Sequence, residues 1–76
     1  MAHFYLNIRD GEELIRDPEA YVFPTAADAR EAAVQSVRDL IRGKPDDHEF
    51  DHKQIEIADA TGHPISIVNF YDILAR

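Results

Sequence analysis

From His3 to Arg9 the chain reads HFYLNIR, with Phe4, Leu6 and Ile8 on one side of an alternation and Tyr5, Asn7 and Arg9 on the other. A period of two over this length marks a half-buried strand. Asp10-Gly11 follows. A type I′ turn needs φ > 0 at both central residues, which Asp-Gly tolerates. Residues 12–16 then return as a second strand in one of two registers. A two-residue turn sets Ile15 beside Leu6; one further loop residue sets Leu14 opposite Ile8. Asp17-Pro18-Glu19 has turn chemistry, and residues 20–23 extend the sheet briefly.

Past Pro24 the period changes. Ala26, Ala29, Ala33, Val34, Val37, Leu40 and Ile41 fall within an arc of about 140° on a helical wheel, a core-facing stripe. Thr25 is the expected N-cap, with Asp28 three residues on as the acidic half of a capping box. Gly43, with Pro45 beyond, stops the helix after Arg42. Arg30 shares the apolar arc, where its stem covers apolar surface and its head reaches water. Residues 44–53 are polar, with Phe50 the large apolar exception. QIEIA at 54–58 alternates, with Ile55 and Ile57 inward. Asp59-Ala60-Thr61-Gly62 turns the chain. Residues 64–70 return as a strand with Ile65 and Ile67 on one face, and FYDIL at 70–74 forms a final helical turn that plugs the sheet's end.

The order ββαββ predicts an α+β fold, an antiparallel four-stranded sheet with one main helix packed on one face and a short C-terminal helical turn. The expected core is Phe4, Leu6, Ile8, Ala29, Ala33, Val37, Leu40, Ile55, Ile57, Ile65, Ile67 and Phe70. The opposite face is expected to carry Tyr5, Asn7, Arg9, Glu56, Ser66 and Val68, polar enough to meet solvent or a second copy. At 76 residues the chain is one domain over 1–76. A chain this short buries only about 60% of its unfolded surface, so association would help it.

Charge narrows the partners. Fifteen acidic residues against eight basic ones give a net charge of −7, which repels a phosphate backbone and argues against nucleic acid. No apolar run reaches the ~18 residues of a membrane span. The N-terminus has no basic region followed by an apolar one, so no signal peptide is expected. The absence of cysteine excludes a disulfide framework and fits a cytoplasmic location.

One stretch has the form of a catalytic motif. His48-Glu49-Phe50-Asp51-His52 matches H-E-x-x-H. On a helix, His48 and His52 would share a face and bind Zn²⁺, with Glu49 as general base. That chemistry needs a helix through the motif, a third ligand and a cleft. Pro45 at the first helical position and Asp46-Asp47 in the first turn would open such a helix. It would last barely two turns before the next strand, and His3 and His63 are far off in sequence. A polar loop is the simpler reading, with His48 and His52 as the candidate divalent-metal ligands. Asp46, Asp47 and Asp51 would draw a cation there without preference for zinc.

No Ser/His/Asp spacing suggests a triad and no glycine-rich loop cradles phosphate, so neither catalysis nor a cofactor is expected. Glu12, Glu13, Asp28, Glu31 and Asp39 read as a solvated face, or as a docking surface for a basic partner. Tyr5, Phe50 and Tyr71 pack at the core's edge or anchor an interface. The expectation is a non-catalytic protein-binding or regulatory module that self-associates, as a homodimer for instance, with the open sheet face around Tyr5, Asn7 and Arg9 and the acidic loop 46–52 as contact surfaces and Tyr71 as a further interface candidate.

FYLNIRDG at 4–11, LIRD at 14–17, AREAA at 29–33, IEIAD at 55–59 and FYDIL at 70–74 together resemble a family of small bacterial domains of unknown function, frequent in rhizobia and related proteobacteria. The resemblance spans nearly the whole chain. It implies a small stand-alone domain with no assigned activity. FPTAADAREA at 23–32 is also similar to the strand-Pro-helix junction of HicB-type antitoxins, which pack a helix on an antiparallel sheet. That likeness implies an inhibitor of a basic partner.

Overall fold

A computed structural model describes residues 1–43 and 52–74. The elements are β1 (Ala2–Asp10), β2 (Glu13–Ile15), β3 (Tyr21–Phe23), α1 (Ala26–Gly43), β4 (Lys53–Asp59), β5 (Pro64–Asn69) and α2 (Phe70–Leu74). The class is α+β, and all strand pairs are antiparallel. The sheet has five strands where the sequence suggested four. Its order is β2-β1-β4-β5, and β3 also pairs with β1.

The fifth strand follows from the length of β1. Its nine residues give one edge to two short strands. β2 takes Ile8 to Asp10 and β3 takes Ala2 to Phe4. Between them the chain leaves the ladder at Asp17-Pro18, because proline has no N–H to donate. The break is stitched down locally. Asn7 Oδ1 accepts the Asp17 N–H at 2.9 Å, and Asp17 Oδ1 accepts the Glu19 N–H at 3.0 Å.

The first hairpin turns on Gly11-Glu12, not on Asp10-Gly11. Gly11 has φ 62, and no non-glycine residue has positive φ among those described. One positive φ at the first central position is the type II′ pattern; type I′ would need two. Asp10 stays in the ladder because it also pairs with Lys53 of β4. The Gly11 N–H continues that pairing by donating to the His52 carbonyl at 3.1 Å. The register becomes Ile8↔Ile15 and Arg9↔Leu14, which is neither of the two expected.

α1 starts where the sequence places it. Thr25 Oγ1 accepts the Asp28 N–H at 3.2 Å and donates its own hydrogen to Asp28 Oδ2 at 2.9 Å. The Asp28 carboxylate also sits at the positive end of the helix dipole. Ala29, Ala33 and Val37 form the fully buried stripe, packed with Phe4, Ile55, Ile57, Val68 and Phe70. Small side chains on the helix let it lie close to the sheet. Leu6, Phe23, Val34, Ile41 and Ile73 close the margins.

Of the expected core residues, Ile8 is half-buried outside the core cluster, and three more are exposed. Leu40 is 49% exposed. α1 packs on α2, with Ile41 and Ile73 at the core's margin, while Leu40, beside Ile41 in sequence, stays on the exposed side of the helix. Ile65 and Ile67 are also about half exposed, while Val68 and Phe70 are sealed at 2% and 1%. The segment holds two apolar sets of opposite parity, Ile65/Ile67 and Val68/Phe70. Phe70 offers the larger apolar area and opens α2, which itself packs on α1. With Phe70 inward, Val68 and Ser66 face the helix, and Ile67 turns to the other side. The expected placement of Ser66 and Val68 on the open face is therefore reversed. A register shift between Ile57 and Ala58 leaves Ile65 out of the pairing.

Candidate interaction surface

Directly paired residues of an antiparallel sheet show their side chains on one face. His3, Tyr5, Asn7 and Arg9 of β1 therefore share the helix-free face with Val22, Leu14, Glu56, Ala58 and Ile67. Three of the four sequence candidates, Tyr5, Asn7 and Arg9, stand in line on it. Val22 and Ile67 were missed. Both are about half exposed, and both follow from parity. Tyr21 and Phe23 pair with Phe4 and Ala2 toward the helix, which turns Val22 out.

Polar contacts orient side chains on this face. Arg9 Nε donates to Glu56 Oε2 at 2.8 Å, with the carboxylate side chain 12% exposed and the arginine 36%. A partly exposed pair of this kind contributes about 0.2–1 kcal/mol, so its main effect is to fix both side chains. Arg9 then lines a shallow cleft of about 280 Å³ with Gly11, His52, Gln54, Asn69 and Tyr71. Tyr71, the fourth candidate, is 60% exposed and reaches this cleft from α2. A second cleft of about 230 Å³ lies by Tyr5, Asn7, Arg16, Asp17, Thr61 and Gly62. Its rim is the β4–β5 turn.

That turn is organised by one carboxylate. Asp59 Oδ1 accepts the Thr61 hydroxyl at 2.7 Å and the Thr61 and His63 N–H groups at 3.0 Å each. The Gly62 N–H closes onto the Asp59 carbonyl at 2.9 Å, and Gly62 takes φ 88. This is the pattern of a type I turn ended by a G1 bulge. The Thr61 hydroxyl first, and then the His63 N–H, hold the Asp59 carboxyl below its ordinary 3.8. Hydrogen bonds to the charged form favour it.

The metal candidates are not brought together. Residues 44–51, which include His48 and most of the acidic loop expected as a contact surface, lie outside the described residues. His52 is exposed, and its carbonyl serves the first hairpin. His3 and His63 are exposed too, on β1 and in the β4–β5 turn. Among the described residues no three His, Cys, Asp or Glu side chains are grouped to hold a metal ion. Among the same residues no helix is long and apolar enough to cross a membrane.

Comparison with known families matches residues 3–71 to DUF6894, a domain of unknown function. The chain belongs to the DUF6894 family. The match takes in β1 through the start of α2, so the fold above is that of the family's domain in this chain. No curated protein and no solved structure matches the chain.

Proposed function

We propose that this DUF6894 chain is a non-catalytic protein-binding module whose helix-free sheet face docks a second copy of itself. The observation that carries the reading is the charge and polarity of that face. The whole chain carries −7, yet the charged side chains in the middle of this face are Arg9 and Glu56, and they pair with each other. Two copies meeting here place no unpaired like charges against each other at the centre of the contact. Val22 and Ile67 supply apolar contact, and Tyr5 supplies an aromatic anchor of the kind that dominates interface energetics. Asn7 and the Arg9–Glu56 pair are already oriented, which lowers the ordering cost of docking.

The test is a footprint. Amide NMR spectra recorded at rising protein concentration are expected to shift at Tyr5, Asn7, Arg9, Val22 and Ile67 and to stay still along the outer side of α1. Concentration-dependent shifts confined to α1, or none anywhere, would reject the reading. The cytoplasm, where no disulfide would be needed, is the compartment the cysteine-free composition suits.

A further inference from the structure

β5 ends the sheet, and among the described residues no strand pairs with its outer side. The direction of its main-chain groups can be worked out. Asp59 N–H donates to the His63 carbonyl across the hairpin. In β4, the main-chain groups of Asp59, Ile57 and Ile55 therefore point to β5. On the other side, Gly11 N–H donating to His52 sets the alternate residues Gln54, Glu56 and Ala58 toward β1. Ile57 pairs with Ser66 and Ile55 with Val68. Main-chain direction alternates along an antiparallel strand, so the N–H and C=O of Ile67 point outward.

This outward carbonyl is occupied. Arg30, from the second turn of α1, donates from Nη1 to the Ile67 carbonyl at 3.0 Å and to Ser66 Oγ at 3.2 Å. Among the described residues its Nη2 and Nε have no partner. β5 itself, PISIVN, has no charged side chain, and Ile65 and Ile67 are about half exposed along it. Beyond that one cationic contact the edge carries exposed isoleucines and no charge of its own, the kind of edge that natural proteins protect, since it templates strand addition. The opposite edge is protected otherwise, by Glu13 in β2 and by the break at Asp17-Pro18.

We infer that the β5 edge is a docking strand for an extended segment of another protein that alternates acidic and apolar residues. Such a strand adds to β5 by main-chain bonds, with pockets or charges beside it reading alternate side chains. An incoming N–H takes the Ile67 carbonyl from Arg30. The released guanidinium then pairs with a carboxylate on the helix-facing side of the incoming strand. Apolar side chains on its other side lie against Ile67. A second copy pairing here by two-fold symmetry would bring Arg30 against its own equivalent, so the charge favours a different, acidic partner. The surface is distinct from the open face, and the inference does not depend on self-association.

The probe is a capped peptide alternating valine and glutamate, compared with a valine–lysine peptide and with the valine–glutamate peptide N-methylated at alternate residues. The readouts are amide shifts and hydrogen exchange of the full chain. The glutamate peptide is expected to shift the amides of 65–69 and slow exchange at Ile67. The lysine peptide should bind at least about tenfold more weakly, the scale of a lost charge-assisted contact, and the N-methylated peptide should not bind. Arg30→Ala should erase the preference for glutamate over lysine, whatever it does to overall affinity. No change at 65–69 with the glutamate peptide at millimolar concentration would overturn the inference. So would equal binding of the lysine peptide, or a preference that survives Arg30→Ala. Self-association is read separately, from mass, so either claim can fail alone.

Discussion

The parity of β5 can be tested by a pair of neighbouring substitutions. Val68→Ala deletes both γ-methyls from a side chain that is 2% exposed against the helix. At about 0.8 kcal/mol per buried carbon, with a cavity term added, the loss is about 2–3 kcal/mol. Ile67→Ala removes more atoms from a side chain that is 50% exposed. Its loss stays below about 1 kcal/mol, in the range of surface substitutions. A domain of this size has a urea m-value of about 1 kcal/mol per molar. Val68→Ala should therefore lower the urea midpoint by about 2 M or more, and Ile67→Ala by less than about 1 M. Equilibrium unfolding followed by circular dichroism reads both. If Ile67→Ala destabilises as much as Val68→Ala, Ile67 faces the helix, and the argument that Phe70 sets the parity of the strand is wrong.

Other consequences are simpler. Thr25→Ala removes the hydroxyl that serves Asp28 and should cost about 1 kcal/mol in urea unfolding, with Thr25→Ser restoring most of it. Gly62→Ala puts a Cβ at φ 88 and should destabilise by about 1 kcal/mol through the left-handed conformation alone; a neutral result would mean that the turn relaxes. Asp59 has a lowered folded-state pKa, so its hydrogen bonds add stability that is complete above the unfolded value of 3.8 and is lost as pH falls through the lowered one. A carboxyl ¹³C titration should give Asp59 a midpoint below 3.8, and Asp59→Asn should remove that part of the acid dependence. A midpoint at or above the ordinary value would remove the organising role given to Asp59.

Most elements were legible because their signals are local. HFYLNIR alternates without interruption, and Thr25 and Asp28 open α1 by capping chemistry that needs no tertiary context. Phe4, Ala29, Ala33, Val37, Ile55, Ile57 and Phe70 were expected in the core and are buried there. The misreadings share a different cause. Ile15, Ile65 and Ile67 each lay in a segment whose register or side depends on a neighbour beyond the segment. For Ile15 the neighbour is Lys53, which keeps Asp10 in the ladder and moves the turn by one residue. For Ile67 it is Phe70. A slip of one residue reverses every side chain, so a local alternation gives the pattern and not its direction. At the surface, Tyr5, Asn7 and Arg9 were legible from the first strand alone. Arg30 was read as a stem covering apolar surface; its hold on the Ile67 carbonyl needed the strand order and the direction of each main-chain group.

Whether two copies meet through the helix-free face is read by sedimentation equilibrium across the micromolar to millimolar range. The weight-average mass is expected to rise from the 8.7 kDa of one chain toward twice that value, and a Tyr5→Glu variant to stay at the single-chain mass because a new negative charge is placed on both docking faces. A wild-type mass that remains at 8.7 kDa through the whole range would contradict docking through this face, as would a Tyr5→Glu variant that associates as readily as the parent.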